Sequence, residues 1–277
     1  MLTNFHLATL AQVAVGGLAL GSLYAIALLG VLIVFQVSKS INFAYGQIGM
    51  VAAFGSFFLY TTAHLPVWLA VGLGVAAAVA LSALTDFLII RRIAHRQGLD
   101  FVVTLGELLL LTSLAELLLG TSAQSYLPLL SDVSWRVGGV FINANDLLAV
   151  ALGIACIGAG AFVLRHTTLG ISLRAAAEDP AIAQSVGISV PALRTATWAV
   201  SGLLVAVAGM MFASRLSVSS FYMTPIIINV FIAGMIGGLE RFWPPIAARS
   251  GPPGWRATSS CTHSGLMSSS IAIWAPA

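Results

Sequence analysis

The residues able to do chemistry fall into three groups. Arg174, Glu178 and Asp179 lie close together in the stretch from Gly170 to Pro191, although charged residues make up only 8% of the chain. Glu107 and Glu116 stand inside an apolar run, where an ionisable side chain is costly and reads first as functional. Their spacing places them on opposite faces of a helix, so they are not a paired dyad. Glu107, nearer the inner end of that run, is expected to pair with Arg91 or Arg92, with proton or cation relay as the competing reading; Glu116 is expected to reach water. The third group is Asn42, Tyr45, Gly46 and Gln47, amides beside glycine where a helix begins or breaks, as transport paths require. The plainer reading of that group is a helix start, with Asn42 as cap and Tyr45 as an interfacial aromatic. Asn229, a lone amide in a late apolar run, is a weaker candidate for lining a path, since such amides commonly bond a neighbouring helix.

No hydrolytic or metal chemistry is indicated. His6, His64, His95, His166 and His263 are scattered, and neither His-Glu-x-x-His nor Gly-x-Ser-x-Gly occurs. Cys156 and Cys261 have no ligand or disulfide spacing. A nucleotide-binding P-loop needs a lysine after its glycine-rich turn, and the sole lysine, Lys39, sits in Val-Ser-Lys-Ser. The expectation is therefore no catalytic residue, no metal and no cofactor bound by this chain; any ATP-driven motor has to be a separate polypeptide.

The elements that hold these groups are membrane spans. Of the 277 residues 59% are hydrophobic, the mean hydropathy is +1.00, and the charged fraction is far below the roughly 25% of soluble domains. Apolar runs of about 20 residues match the hydrocarbon thickness for helices, and they lack the alternation of a barrel. The fold class is all-α, a polytopic transmembrane helical bundle. About seven spans are expected: 7–37, 42–62, one from Pro66 to the Arg-Arg-Ile-Ala-His-Arg cluster, 101–119, 146–164, 193–213 and 224–243. The first is long and carries Gly16, Gly17, Gly21 and Gly30, which suggests either a tilted helix or one with a broken, re-entrant part. No lysine or arginine precedes Lys39, so no cleaved signal peptide is expected.

A net charge of +3 carried by 12 dispersed Lys and Arg indicates topology and lipid-headgroup contact, not nucleic acid. With the N-terminus outside, Lys39, Arg91, Arg92, Arg96, Arg165, Arg174, Arg194 and Arg241 lie inside, and only Arg136 and Arg215 lie outside. That bias puts residues 166–192 in the cytoplasm. Gly17–Gly21 and Gly234–Gly238 carry small-residue spacing that allows close helix contact. After Trp243 five of the ten prolines and seven serines crowd the end of the chain. Residues 244–277 read as a disordered or out-of-frame tail, set apart from a permeation domain at 1–243.

The Gly170–Pro191 stretch predicts a helix, a corner and a second short helix. Residues 171–177 are helix formers, and Arg174 can meet Glu178 one turn on. Asp179-Pro180 is a cap followed by proline at the first helical position, and Gly187 supplies the left-handed turn that ends the second helix. Such an element is either an ordinary solvated loop or a short helix seated in a partner's groove.

GISLRAAAEDPAIAQSVGI resembles the coupling loop of the branched-chain amino-acid ABC transporter permeases of the LivH type. INFAYGQIGMVAAF, IAGMIGGLERFW and GGLALGSLYAIALLGVLIVF resemble further segments of the same family, in the same order. The resemblance implies an inner-membrane permease subunit that works with a second, LivM-type permease, two cytoplasmic ATPase subunits and an extracytoplasmic binding protein, on an amino-acid substrate. It implies a coupling role for Arg174, Ala175, Glu178, Asp179, Pro180 and Gly187. A urea or amide permease of the same family, an ion-coupled secondary carrier and a non-functional truncated copy are the alternatives.

Overall fold

A computed structural model describes residues 2–93, 99–119, 126–127, 134–137 and 140–237. The 244–277 tail and the His95-Arg96 part of the basic cluster lie outside the described residues. Contacts divide the chain at Glu240, and the described residues all belong to the first unit, Met1–Glu240.

Ten helices and one hairpin occur among the described residues. They are α1 (Leu2–Ser38), α2 (Tyr45–Thr61), α3 (Val67–Leu84), α4 (Arg91–Ile93), α5 (Leu99–Leu119), α6 (Ala144–His166), α7 (Thr168–Glu178), α8 (Pro180–Ser185), α9 (Val190–Ala213) and α10 (Met223–Gly237). A π-helical turn, Thr85–Ile90, joins α3 to α4. Strands β1 (Ser134–Val137) and β2 (Val140–Asn143) pair antiparallel. Gln12 of α1 bonds both the N–H and the C=O of Phe141, satisfying the edge of β2. The all-helical membrane bundle expected from composition is the observed architecture.

Among the described residues five segments are long and apolar enough to cross a membrane: Thr9–Ser38, Val67–Ile93, Leu99–Leu118, Ala144–His166 and Val190–Ala213. α1 is one uninterrupted helix of 37 residues, so the broken form weighed from its glycines does not occur. It contains no proline, and its neighbours leave the space around Gly16, Gly17 and Gly21 empty.

The second and seventh apolar runs are not ordinary spans. α1 and α9 run antiparallel, with Val34 packed on Trp198, Gly30 beside Leu204, and the Tyr24 ring edge-on to Phe212. α1 ends at Ser38, where Lys39 takes a left-handed conformation (φ 51°) and turns the chain back. Residues 39–44 then climb back along α1, so that the Tyr45 hydroxyl donates to the carbonyl of Ala27. Ala27 lies about 11 residues, or roughly 16 Å of helix, from the end of α1. α2 therefore starts at the middle of α9, beside Ser201 and Val205.

α10 starts at the same depth. Residues 214–222 fold back from the end of α9, and the Tyr222 hydroxyl donates to the carbonyl of Gly209. Thr224 then meets Gln47, and Ile227 packs on Gly46. Two chain reversals thus bring the starts of α2 and α10 together inside the bundle. Non-helical backbone at such depth is tolerated only when protein covers it or it lines a cavity.

α2, α3 and α9 form the inner packing. A Cβ on Gly209 would lie 2.7 Å from the Gly49 carbonyl oxygen, and one on Gly49 would lie 2.8 Å from that of Val205. In lipid no hydrophobic gain drives helices together, so close backbone approach of this kind carries the association. Gly209→Val is expected to destabilise the solubilised protein by about 1–3 kcal/mol, measured by thermal unfolding, because backbone and not a flexible side chain stands in the way. Gly17→Val, facing empty space, is expected to leave the melt unchanged. Of the sequence-predicted small-residue contacts, the Gly17–Gly21 pair makes none with the described residues.

Candidate functional site

The mid-depth site forms where residues 39–44 pass between α1 and α9. Ser40, Asn42, Tyr45 and Ser201 line a small cavity there, closed on its apolar side by Val31 and Val34. Asn42 is 7% exposed and Ser40 5%, yet Asn42 Oδ1 and Ser40 Oγ have no hydrogen-bond partner. A buried acceptor without a partner costs about 1–3 kcal/mol, so such groups need an explanation. Asn42 makes no side-chain cap for α2, whose N-cap is Ala44. That removes the capping half of the plainer reading, and Tyr45 is wholly buried, so it is not an interfacial aromatic.

Gly46 and Gln47 face the other reversal. Gln47 Nε2 donates to Thr224 Oγ1 at 3.2 Å, while its Oε1 and the nearby segment's Ser220 Oγ are buried without partners. Gly46 lets Met223 and Ile227 approach the α2 backbone. The structure thus brings Asn42, Tyr45, Gly46 and Gln47 together at one depth. Asn229 is not among them, because it lies on the exposed face of α10.

At the cytoplasm-assigned end the predicted helix, corner and helix are present. Thr167 caps α7 through the N–H of Gly170. Asp179 caps α8 by accepting from Ala181 and Ile182, with Pro180 at the first helical position. Gly187 has φ 88°, and the Ile188 N–H closes back on the carbonyl of Ala183. Ala176, Ala183 and Leu193 are buried together, with Ala175 and Leu173 against them, which folds α7 and α8 onto the start of α9. Ile182 (64% exposed) and Val186 (74%) point away from that core. Arg174 and Glu178 are exposed; Arg174 donates Nε to the carbonyl of Gly170, so the expected pairing with Glu178 is replaced by a local bond.

Sequence reasoning missed the ion pair just above this element. Asp86, in the π-helical turn, is completely buried, with its Oδ1 2.8 Å from Arg194 Nε. The contact is off the N–H axis, so it is a charge pair more than a directed bond. Thr195 Oγ1 donates to Asp86 Oδ2 at 2.6 Å. The signal available in the sequence was an acidic residue inside an apolar run, as with Glu107. Glu107 itself accepts from Thr85 Oγ1 at 2.6 Å, and Arg91 lies over the Phe87 ring, so the expected Glu107–arginine pair does not form. Thr85 and Asp86, adjacent in the π-helical turn, turn their side chains to two different helices, α5 and α9. At the other end of the bundle Arg215 pairs with Asp146. No group of His, Cys, Asp or Glu able to hold a metal occurs among the described residues.

A family model described as "Branched-chain amino acid transport system / permease component" matches residues 13–251. The chain is 25% identical to the high-affinity branched-chain amino acid transport system permease protein LivH of Escherichia coli (strain K12), over 80% of this chain and 77% of that one. It is 27% identical to a probable branched-chain amino acid transport permease protein LivH of Methanocaldococcus jannaschii, over 82% and 73%. A shorter similarity, 35% identity over 44% of this chain and 37% of the relative, links it to the nucleoside ABC transporter permease protein NupC of Lactococcus lactis. No solved structure matches.

Proposed function

Since the chain belongs to the branched-chain amino acid transport permease family, we propose that it is the membrane subunit of an ATP-driven importer that moves branched-chain amino acids across the inner membrane. The observation that carries this reading is the family match over residues 13–251, which takes in the described bundle from residue 13 onward and the α7–α8 projection. Its partners are a second, LivM-type permease, two cytoplasmic ATPase subunits and an extracytoplasmic binding protein. ATP is bound and hydrolysed by the ATPase subunits, and no cofactor is held by this chain.

In this reading the N-terminus is extracytoplasmic and α7–α8 face the cytoplasm. The α7–α8 element, with Arg174, Ala175, Glu178, Asp179, Pro180 and Gly187, transmits ATPase closure to α9, because α8 packs on the first turn of that helix. Asn42, Tyr45, Gly46 and Gln47 line the path at mid-depth, while exposed Asn229 is a contact for a partner or lipid. Residues 1–243 form the permease domain and 244–277 an atypical tail, a division drawn on composition; the family match runs slightly past it. The urea or amide and ion-coupled alternatives are not favoured by the relatives.

The test is reconstitution with candidate ATPases and the cognate binding protein in vesicles. Leucine uptake is expected to require ATP and the binding protein and to survive a protonophore. Uptake abolished by the protonophore with ATP still present would replace this reading with an ion-coupled carrier.

A further inference from the structure

The depth of the β1–β2 hairpin is set by its attachments. Gln12, which holds both polar backbone groups of Phe141, lies inside the apolar segment Thr9–Ser38. It stands about eleven residues, roughly 17 Å of helix, from the middle of that segment. Half of a hydrocarbon core measures about 15 Å, and the headgroups reach to about 20–22 Å. At its other end β2 runs directly into Ala144, the first residue of the apolar segment Ala144–His166. The hairpin is thus held within the headgroup layer, at the end of the bundle where α1 begins, and not above it.

Its two faces differ. Residues directly opposite each other in an antiparallel pair share a face, and successive residues alternate between faces. Trp135 opposes Ile142 on one face; Arg136 opposes Phe141 on the other, which also carries Ser134 and Asn143. The Arg136 guanidinium lies 5.1 Å from the centre of the Phe141 ring, so the cation covers the large apolar side chain of the polar face. Trp135 is 50% exposed, and Arg136 forms no ion pair among the described residues. An indole half bare at this depth meets glycerol esters and the tops of acyl chains, where an apolar ring with one N–H donor is most stable. A guanidinium without a carboxylate at the same depth meets phosphate, which its planar fork of donors matches.

We propose that β1–β2 is an interfacial anchor whose partner is the phospholipid headgroup layer, with Trp135 seated at the glycerol esters and Arg136 on lipid phosphate. A soluble binding protein makes its contacts above this layer, so the depth of the hairpin favours lipid. Because β2 leads into α6 without a linker, the anchor also fixes the depth at which α6 starts. The assignment stands apart from the import reading, since it depends neither on the solute nor on the partner subunits.

The test is tryptophan fluorescence of the full chain in lipid nanodiscs, taken as the difference between wild type and Trp135→Phe so that Trp135 alone is followed. Most of this component is expected to be lost in phosphatidylcholine brominated near the top of its acyl chains. A smaller loss is expected with bromine near the chain ends, and little quenching by acrylamide in the water. Arg136→Glu, referred to its own Trp135→Phe partner, is expected to increase acrylamide quenching as the hairpin is released toward water. Where Trp135→Phe does not fold, Trp135→Tyr excited in the tryptophan band supplies the same difference. A component quenched by acrylamide and untouched by brominated lipid overturns the anchor, and its shielding by added binding protein would give the face to that protein instead. Stronger quenching by the deep bromine overturns the seat at the esters, and acrylamide quenching unchanged in Arg136→Glu overturns the phosphate contact.

Discussion

Asp86→Ala is expected to destabilise the protein by about 3–5 kcal/mol, because it leaves the Arg194 guanidinium buried and unpaired beside Thr195. Arg194 is only 14% exposed and cannot easily turn to water without unwinding the first turn of α9. The same substitution frees Thr195 from its strongest acceptor. Asp86→Ala with Arg194→Met removes both charges and is expected to recover most of the loss, since a buried pair replaced by apolar groups is often neutral. Thermal unfolding of the single and double variants in detergent measures the coupling. A single variant as stable as wild type would mean that water reaches the pair. The consequence extends to drive, because Arg194 lies at the point where α8 packs on α9: the single variant is also expected to uncouple ATPase activity from uptake at temperatures where it remains folded.

The second large effect concerns α8. Ile182→Asp with Val186→Asp is expected to leave the melt of the isolated chain unchanged and to weaken ATPase docking by about 30-fold or more, the effect of removing a hot-spot contact. Both side chains point away from the Ala176–Ala183–Leu193 cluster, so the bundle does not depend on them. Charge reversal at Glu178 and Asp179 is a less clean probe, because Asp179 caps α8 and its loss costs about 1 kcal/mol by itself. Co-purification with the ATPase, together with leucine uptake in vesicles, reads the result. Normal docking and uptake in the double variant would remove α8 from the coupling role.

Much of this was legible in the sequence for local reasons. Run length identified the helices, and the Asp179-Pro180 corner and Gly187 turn were readable because cap, proline and glycine each act within a few residues. What stayed hidden depends on depth and on distant partners. Hydropathy measures how apolar a run is, not where it begins, so runs 42–62 and 224–243 looked like full spans although α2 and α10 start in the middle of the bundle. The Asp86–Arg194 pair joins residues more than a hundred positions apart, and a π turn has no sequence periodicity to announce it. For the same reason Glu107 was matched to the nearest arginines instead of to Thr85. Glycine is common in membrane helices, so Gly17 and Gly21 looked as good a contact as Gly49 and Gly209, and only the packing separates them.

The π turn at Thr85–Ile90 closes on the fifth residue back and so accommodates one residue more than an α turn. Removing a single residue there would let the turn close as ordinary α-helix while the helix on either side keeps its register. The change falls inside the turn, where Asp86 would be redirected away from Arg194. This stretch should therefore accept a one-residue deletion without disturbing the helices that flank it, at the cost of the buried pair. In an alignment of relatives, a one-residue gap between Thr85 and Ile90 would mark the point where a lineage gave up the buried pair, and an acid at the Asp86 position should vanish from the same lineages that lose the arginine at 194.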